Sequence, residues 1–243
     1  MKPGPTLRAV ERFFLPNVCI VCERSVQRPD DLVCDVCVSR LRPLETGCGR
    51  CGHPMPPVGP CRFCAAWSPV LRSVASAVWL GTEARAIVHR LKYGHSPALG
   101  ILAARVIARV TPHPGLLVPI PVSRRRFRRR GYNQAAVMAR ELGRAWKRPV
   151  AENLLRRSRD ATSQTTLTPE ARLANVAGAF ALASEPGAGR CGPVILVDDV
   201  LTTGATLDAA ARVLADAGWD EVRAVTFARA LPYATRVLGH QTC

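Results

Sequence analysis

Eight of the ten cysteines lie in the first 64 residues, and all eight come as C-x-x-C pairs: Cys19/Cys22, Cys34/Cys37, Cys48/Cys51 and Cys61/Cys64. Two thiolates at that spacing can face one ion, and two such pairs complete a tetrahedral four-thiolate site, the chemistry of structural zinc. In a reducing compartment this usage points to metal thiolates rather than disulfides. About 45 residues with few large apolar side chains also need such cross-links to fold. The pattern therefore predicts about two structural zinc ions. The pairs are separated by eleven, ten and nine residues. Sequential and interleaved pairings both remain open, although sequential pairing closes the shorter loops. Cys191 and Cys243 stand alone and are not expected to contribute.

A second constellation lies in "GPVILVDDVLTTGATLDAAARVLADAG", residues 192–218. Val194 to Val197 form a short, largely β-branched run suited to a buried parallel strand, and Asp198 and Asp199 fall at its C-terminal end. Open α/β sheets bind their ligands there. Thr202-Thr203-Gly204-Ala205-Thr206 then turn into a helix whose apolar face is Leu207, Ala210, Ala211 and Leu214. A helix N-terminus offers unpaired N–H groups and partial positive charge, and threonine hydroxyls add donors, so the turn is a cup for a phosphate monoester. The Lys and glycine spacing of a Walker loop are absent. Capping the helix would need only one of these side chains. Two carboxylates beside a phosphate repel it unless they accept hydrogen bonds from sugar hydroxyls, and a ribose 5-phosphate satisfies both demands. A third stretch, "SRRRFRRRGYNQ", places Arg124, Arg125, Arg126, Arg128, Arg129 and Arg130 within eight residues, with Phe127 and Tyr132 interleaved. Arginines that track phosphates beside rings that stack on bases are the chemistry of single-stranded nucleic-acid binding. One pyrophosphate has use for only one or two of them.

Gly47-Cys48-Gly49-Arg50-Cys51-Gly52 matches G-x-G-x-x-G letter for letter. It follows no strand, opens no helix and has no acidic residue about twenty positions on, so it is no dinucleotide fingerprint.

The elements that must position these groups follow from periodicity. The spacing predicts strands at 74–80, 115–123 ("GLLVPIPVS"), 150–156, 176–182, 193–198 and 222–228. Helices are expected at 83–93, 98–110, 133–146 and 205–217, with a loop for the arginine run. Strands alternating with helices predict an α/β fold with a mostly parallel sheet covered by helices on both faces. The expected division is 1–68 for a zinc-binding region and 69–243 for the α/β domain. At 48% apolar content the chain has an ordinary globular composition. The net charge of +16, from 34 basic against 18 acidic residues, suits phosphate-rich partners. Apolar stretches are short or interrupted by Arg105 and Arg109, so neither a signal peptide nor membrane insertion is expected, and a cytoplasmic location follows.

"VILVDDVLTTGAT" resembles the phosphoribosyl-pyrophosphate signature of type I phosphoribosyltransferases. The chain as a whole is similar to the ComF family, associated with competence and DNA uptake, which joins an N-terminal zinc-finger region to such a domain. "LKYGH" (91–95), "PIPVSRRRFRRRGYNQA" (119–135) and "SQTTLTPEARLANVAGAF" (163–180) extend the likeness over most of residues 19 to 228. The resemblance implies that Asp198 and Asp199 are catalytic and hold the ribose 2′- and 3′-hydroxyls, while Thr202, Thr203, Gly204, Ala205 and Thr206 bind the 5′-phosphate. Val122 and Ser123 would approach the pyrophosphate with Mg²⁺ bridging, and residues 158–175 would form a mobile loop over the site. The implied partners are phosphoribosyl pyrophosphate, single-stranded DNA and proteins of the competence machinery. The alternative is a catalytically active phosphoribosyltransferase with an unknown acceptor and no DNA role. Glutamine-dependent amidotransfer needs an N-terminal nucleophilic cysteine, and residue 2 is Lys.

Overall fold

The computed structural model describes residues 18–26, 28, 31–45, 47–54, 59–109, 115–158, 178–183 and 192–230. Most of the expected mobile loop, together with Cys191 and Cys243, lies outside the described residues. In chain order the elements are α1 (Asp35–Ser39), β1 (Leu71–Trp79), α2 (Thr82–Tyr93), α3 (Pro97–Ile107), β2 (Leu116–Pro119), α4 (Arg124–Arg130) and α5 (Gln134–Trp146). They continue with β3 (Leu155–Arg157), β4 (Phe180–Leu182), β5 (Val194–Leu201), α6 (Ala205–Asp216) and β6 (Val222–Arg229).

Four strands form a parallel sheet in the order β1-β6-β5-β2, which puts β5 inside it. Its Val194, Ile195, Leu196 and Val197 are completely buried, as expected of a parallel strand covered on both faces. Side chains alternate across the sheet. Ile195, Val197, Val225 and Phe227 join one core with residues of α2, α3 and α5. Val194, Leu196, Val222 and Ala224 join a second core with Leu207, Ala210, Ala211 and Leu214 of α6. That is the apolar face expected for this helix. The stretches read as strands at 150–156 and 176–182 contribute only β3 and β4, which pair antiparallel with each other away from the main sheet. Val150 makes an isolated parallel bridge to Leu117. No helix among the described residues is long and apolar enough to cross a membrane.

The cysteine-rich region is stitched to the edge of this sheet. Trp79 donates its N–H to the Arg42 carbonyl at 2.9 Å, Leu44 donates to Ala77 at 3.2 Å, and Val74 donates to Arg50 at 2.8 Å. These bonds cover the outer side of β1, which would otherwise present unpaired backbone groups. The arginine run is a helix rather than the expected loop. Ser123 caps it by accepting the Arg126 N–H at 3.3 Å, and Gly131 ends it in the left-handed region at φ +79°.

Candidate functional site

β5 does not stop at the aspartates but continues to Leu201, so Asp198 and Asp199 leave the strand toward opposite faces. Asp199 faces α2 and α5 and is only 4% exposed. Its Oδ2 lies 3.1 Å from the Lys92 ammonium and accepts a hydrogen bond from Gln134 Nε2 at 3.3 Å. Gln134 in turn accepts from Arg130 Nη1 at 2.8 Å. Asp198 is half-buried, and its Oδ1 accepts the Asp199 backbone N–H at 2.8 Å. Burial, and then the neighbouring Asp199 charge, push the Asp198 carboxyl up to about 7, against the pull of Lys92. Asp199 is thus held by Lys92 and Gln134, whereas among the described residues Asp198 accepts one backbone N–H and feels the charges of Lys92 and Arg157.

Past Leu201 the chain turns directly into α6. Thr202 is exposed, Thr203 accepts the Ala205 N–H on its Oγ1 at 3.4 Å, and Gly204 adopts φ +84° at the entry to α6. Glycine is required at 204 for that backbone and because a Cβ would collide with the Trp67 indole. Since β2 neighbours β5, the loop after β2 reaches the same end of the sheet. Ile120 donates to the Val197 carbonyl at 2.9 Å, and Asn133 Nδ2 donates to Ile120 at 3.1 Å. Val122 and Ser123 thus follow β2 at the same end of the sheet as Asp198 and the 202–206 turn. The Ser123 hydroxyl serves as the cap of α4.

The helical geometry of α4 sorts the six arginines by their i, i+4 partners. Arg124 and Arg128, with Phe127, line an open groove of about 1070 Å³ whose other side carries Arg140, Glu152 and Arg156. Phe127 is 49% exposed. Arg125 and Arg129 are exposed on a second flank, with the Arg129 guanidinium 5.2 Å from the Tyr93 ring centre. Arg126 is half-buried, and Arg130 is only 6% exposed and turned toward Gln134 and Tyr93. Arg130 therefore belongs to the Asp199 pocket, and its burial takes it off the exposed basic surface where the sequence put it. Like charges four residues apart oppose helix formation, so the exposed arginines of this short helix are a basic surface that an anion would stabilise.

The cysteines fall into two clusters, Cys19/Cys22/Cys34/Cys37 and Cys48/Cys51/Cys61/Cys64, with the sulfurs of each within 4.8 Å of one another. This is the sequential pairing. Four sulfurs about 2.3 Å from one ion stand about 3.8 Å apart. The Sγ distances Cys22–Cys34, Cys48–Cys64 and Cys51–Cys61 are each 3.7 Å. The donor set therefore fits a tetrahedral metal ion. A second observation agrees at the second cluster. Arg229, completely buried, donates to the Cys51 carbonyl, lies 3.8 Å from the Cys51 sulfur and stacks 4.2 Å over Phe63. No carboxylate pairs with it among the described residues, so negatively charged thiolates are the counter-charge at hand. The first cluster packs into the core under α2 and α3, and the second into the core under α6.

Lys92, Gln134, Trp67, Arg50 and Arg229 were not singled out as functional from sequence. Lys92 lies inside "LKYGH" and Gln134 inside "PIPVSRRRFRRRGYNQA", the available signals. Trp67 and Arg229 act through contacts between distant parts of the chain, and Arg50 through the backbone of the residues after Cys61.

A parallel sheet with acidic residues and a threonine–glycine turn at its C-terminal end defines the class, a protein of type I phosphoribosyltransferase-like fold preceded by a four-cysteine, zinc-ribbon-like region. The family description "Phosphoribosyl transferase domain" matches residues 128–238. The chain is 30% identical to Competence protein ComFC of Bacillus subtilis over 225 residues, covering 83% of this chain and 90% of that protein. It is 27% identical to Competence protein F of Haemophilus influenzae, covering 87% and 96%, and 26% identical to DNA utilization protein YhgH of Escherichia coli K12, covering 82% and 91%. The chain belongs to the ComF family.

Proposed function

We propose that this protein binds phosphoribosyl pyrophosphate with Mg²⁺ at the 198–206 turn and acts in DNA uptake, holding single-stranded DNA along the arginine helix in the cytoplasm. The observation that carries the ligand reading is the union of Asp198, which accepts one backbone N–H among the described residues, and the phosphate cup at the end of β5. The names of the competence relatives support the DNA role. In this reading Asp198 holds the ribose hydroxyls, Asp199 on the opposite face fixes the end of the strand through Lys92 and Gln134 instead of sharing that role as the resemblance implied, and the 202–206 turn holds the 5′-phosphate. Val122 and Ser123 lie along the pyrophosphate, where Mg²⁺ supplies compensating positive charge. Any displacement at the anomeric carbon passes through a cationic sugar, so the protein's contribution is positioning and electrostatic stabilisation. Competence-machinery proteins are the further partners. We divide the chain at residue 68 into a zinc-binding region and a phosphoribosyltransferase-like domain.

Calorimetric titration with phosphoribosyl pyrophosphate and Mg²⁺, with and without single-stranded DNA, tests this reading. The wild type is expected to bind, and Asp198→Asn to weaken binding by about ten- to a hundredfold through loss of a charge-assisted acceptor. A carboxyl held near 7 opposes ionisation in the free fold. The stability it gives when protonated is lost as pH rises through 7, and ligand hydroxyls that need an acceptor favour the ionised form. Affinity should therefore rise about tenfold between about pH 6 and pH 8 beyond any rise shown by Asp198→Asn, which cancels the ligand's own titration. No binding by the wild type at any pH overturns the site. Turnover with an added acceptor but no DNA binding would favour the purely metabolic alternative.

The metal is proposed to be zinc, about two ions per chain, both structural. Metal analysis should find about two zinc ions in the wild type and about one after Cys48→Ser plus Cys51→Ser. Unchanged zinc in that variant contradicts the assignment.

A further inference from the structure

We propose that Trp67 is a positioning residue for the phosphate turn, and that through it the second four-cysteine site, but not the first, sets the shape of that turn. The inference rests on the ligand reading above for its functional consequence, but its geometry stands alone. Trp67 follows the metal-ligating Cys64 by three residues, and its backbone N–H closes a turn on the Cys64 carbonyl at 3.2 Å. The side chain is 4% exposed. Its indole N–H crosses to the phosphoribosyltransferase-like domain and donates to the Thr203 carbonyl at 3.0 Å. The same edge of the ring, Nε1, Cε2 and Cζ2, covers Gly204 so closely that no Cβ fits there. Two consecutive residues of the phosphate cup are therefore shaped by a side chain from the cysteine-rich region.

The strap that carries Trp67 is itself braced. Arg50, between Cys48 and Cys51, donates to the carbonyls of Cys64 at 3.0 Å, Trp67 at 3.2 Å, Ser68 at 2.6 Å and Leu71 at 3.0 Å. Its guanidinium lies 5.7 Å from the Trp67 ring centre. Next along the strap, the Ser68 N–H donates to Asp208 Oδ1 at 2.6 Å, in the first turn of α6. The two halves of the second cluster are thus joined twice, by the shared ion their sulfurs fit and by Arg50, and the product of both links is the position of Trp67 and Ser68. Among the described residues the first cluster has no such route. Its Cys19 and Cys37 pack on the opposite face of the sheet, with Val78, Ala84 and Ile87.

Trp67→Phe in the full chain tests the idea, because it keeps a buried ring but removes the N–H and the ring edge over Gly204. Amide hydrogen exchange at residues 202–206 should speed by about tenfold, the weight of one lost hydrogen bond, while β5 and β6 keep their protection and zinc content stays unchanged. Affinity for phosphoribosyl pyrophosphate with Mg²⁺ should fall by a similar factor, with single-stranded DNA binding unaffected. Cys61→Ser should reproduce the local exchange signature, and Cys34→Ser should lose metal without it. Unchanged exchange at 202–206 in Trp67→Phe overturns the proposal, as does exchange that speeds equally throughout the sheet, which would make Trp67 merely structural. Faster local exchange in a protein whose wild type binds no phosphoribosyl pyrophosphate would support the positioning and overturn the ligand assignment instead.

Discussion

Replacing Arg229 by Met is expected to cost about 3–5 kcal/mol of stability and to loosen metal in the second cluster alone. The side chain is completely buried at the end of β6, and burial pulls its pKa below the usual arginine range while the thiolates of Cys51, Cys61 and Cys64 pull it back. Four thiolates around the proposed zinc ion would carry net negative charge, and Cys51, Cys61 and Cys64 are buried. Removing the guanidinium leaves that charge uncompensated, which is the expensive way to break a buried pair. The variant also loses the bond to the Cys51 carbonyl and the stacking on Phe63. Arg229→Lys should fall between the two, since it restores charge without the planar fork. Denaturant unfolding reads the stability, and the rate of zinc release to a chelator reads the site. An Arg229→Met protein with wild-type stability and two firmly held zinc ions would contradict the counter-charge role.

Arg229 also shows where the sequence stops being informative. In "VRAVTFARA" nothing separates it from any arginine at a strand end. Its role comes from a partner 178 positions away, Cys51, and no local pattern reports such a distance. Trp67 and Arg50 are hidden in the same way. Local chemistry was legible. C-x-x-C spacing fixed which sulfurs form each half-site, and loop length favoured the sequential clusters that the structure has. The β-branched run, the two aspartates and the threonine–glycine turn located the strand, the cup and the helix within a few residues of their observed bounds. The arginine run was misread as a loop because six like charges argue against a helix. Yet Ser123 before it and Gly131 after it were cap and stop signals in plain view. The aspartates were read as an equivalent pair. A strand that continues through them separates their faces, and one extra turn of pairing could not be seen in the residues alone.

The arginine helix gives the sharpest division between a protein that holds DNA and one that only handles a phosphorylated sugar. Arg124, Arg125, Arg128 and Arg129 are exposed, whereas Arg130 is buried beside the Asp199 pocket. Replacing the four exposed residues by Ala should weaken single-stranded DNA binding across all sequences. Each lost phosphate contact lowers the log–log salt slope by about 0.7, so the full set removes nearly 3. Phe127→Ala should add a sequence-tolerant loss of about 1–3 kcal/mol where the half-exposed ring stacks on a base. Neither change touches the ring of partners around Asp199, so phosphoribosyl pyrophosphate affinity should survive both. Arg130→Ala should do the reverse: it removes the donor that orients Gln134 toward Asp199, weakens the sugar site and leaves the salt slope near its wild-type value. The salt slope matters more than the affinity at any one ionic strength, because it counts the phosphate contacts through the counterions they release. Wild-type protein that fails to bind single-stranded DNA even at low salt would end the DNA reading of this surface.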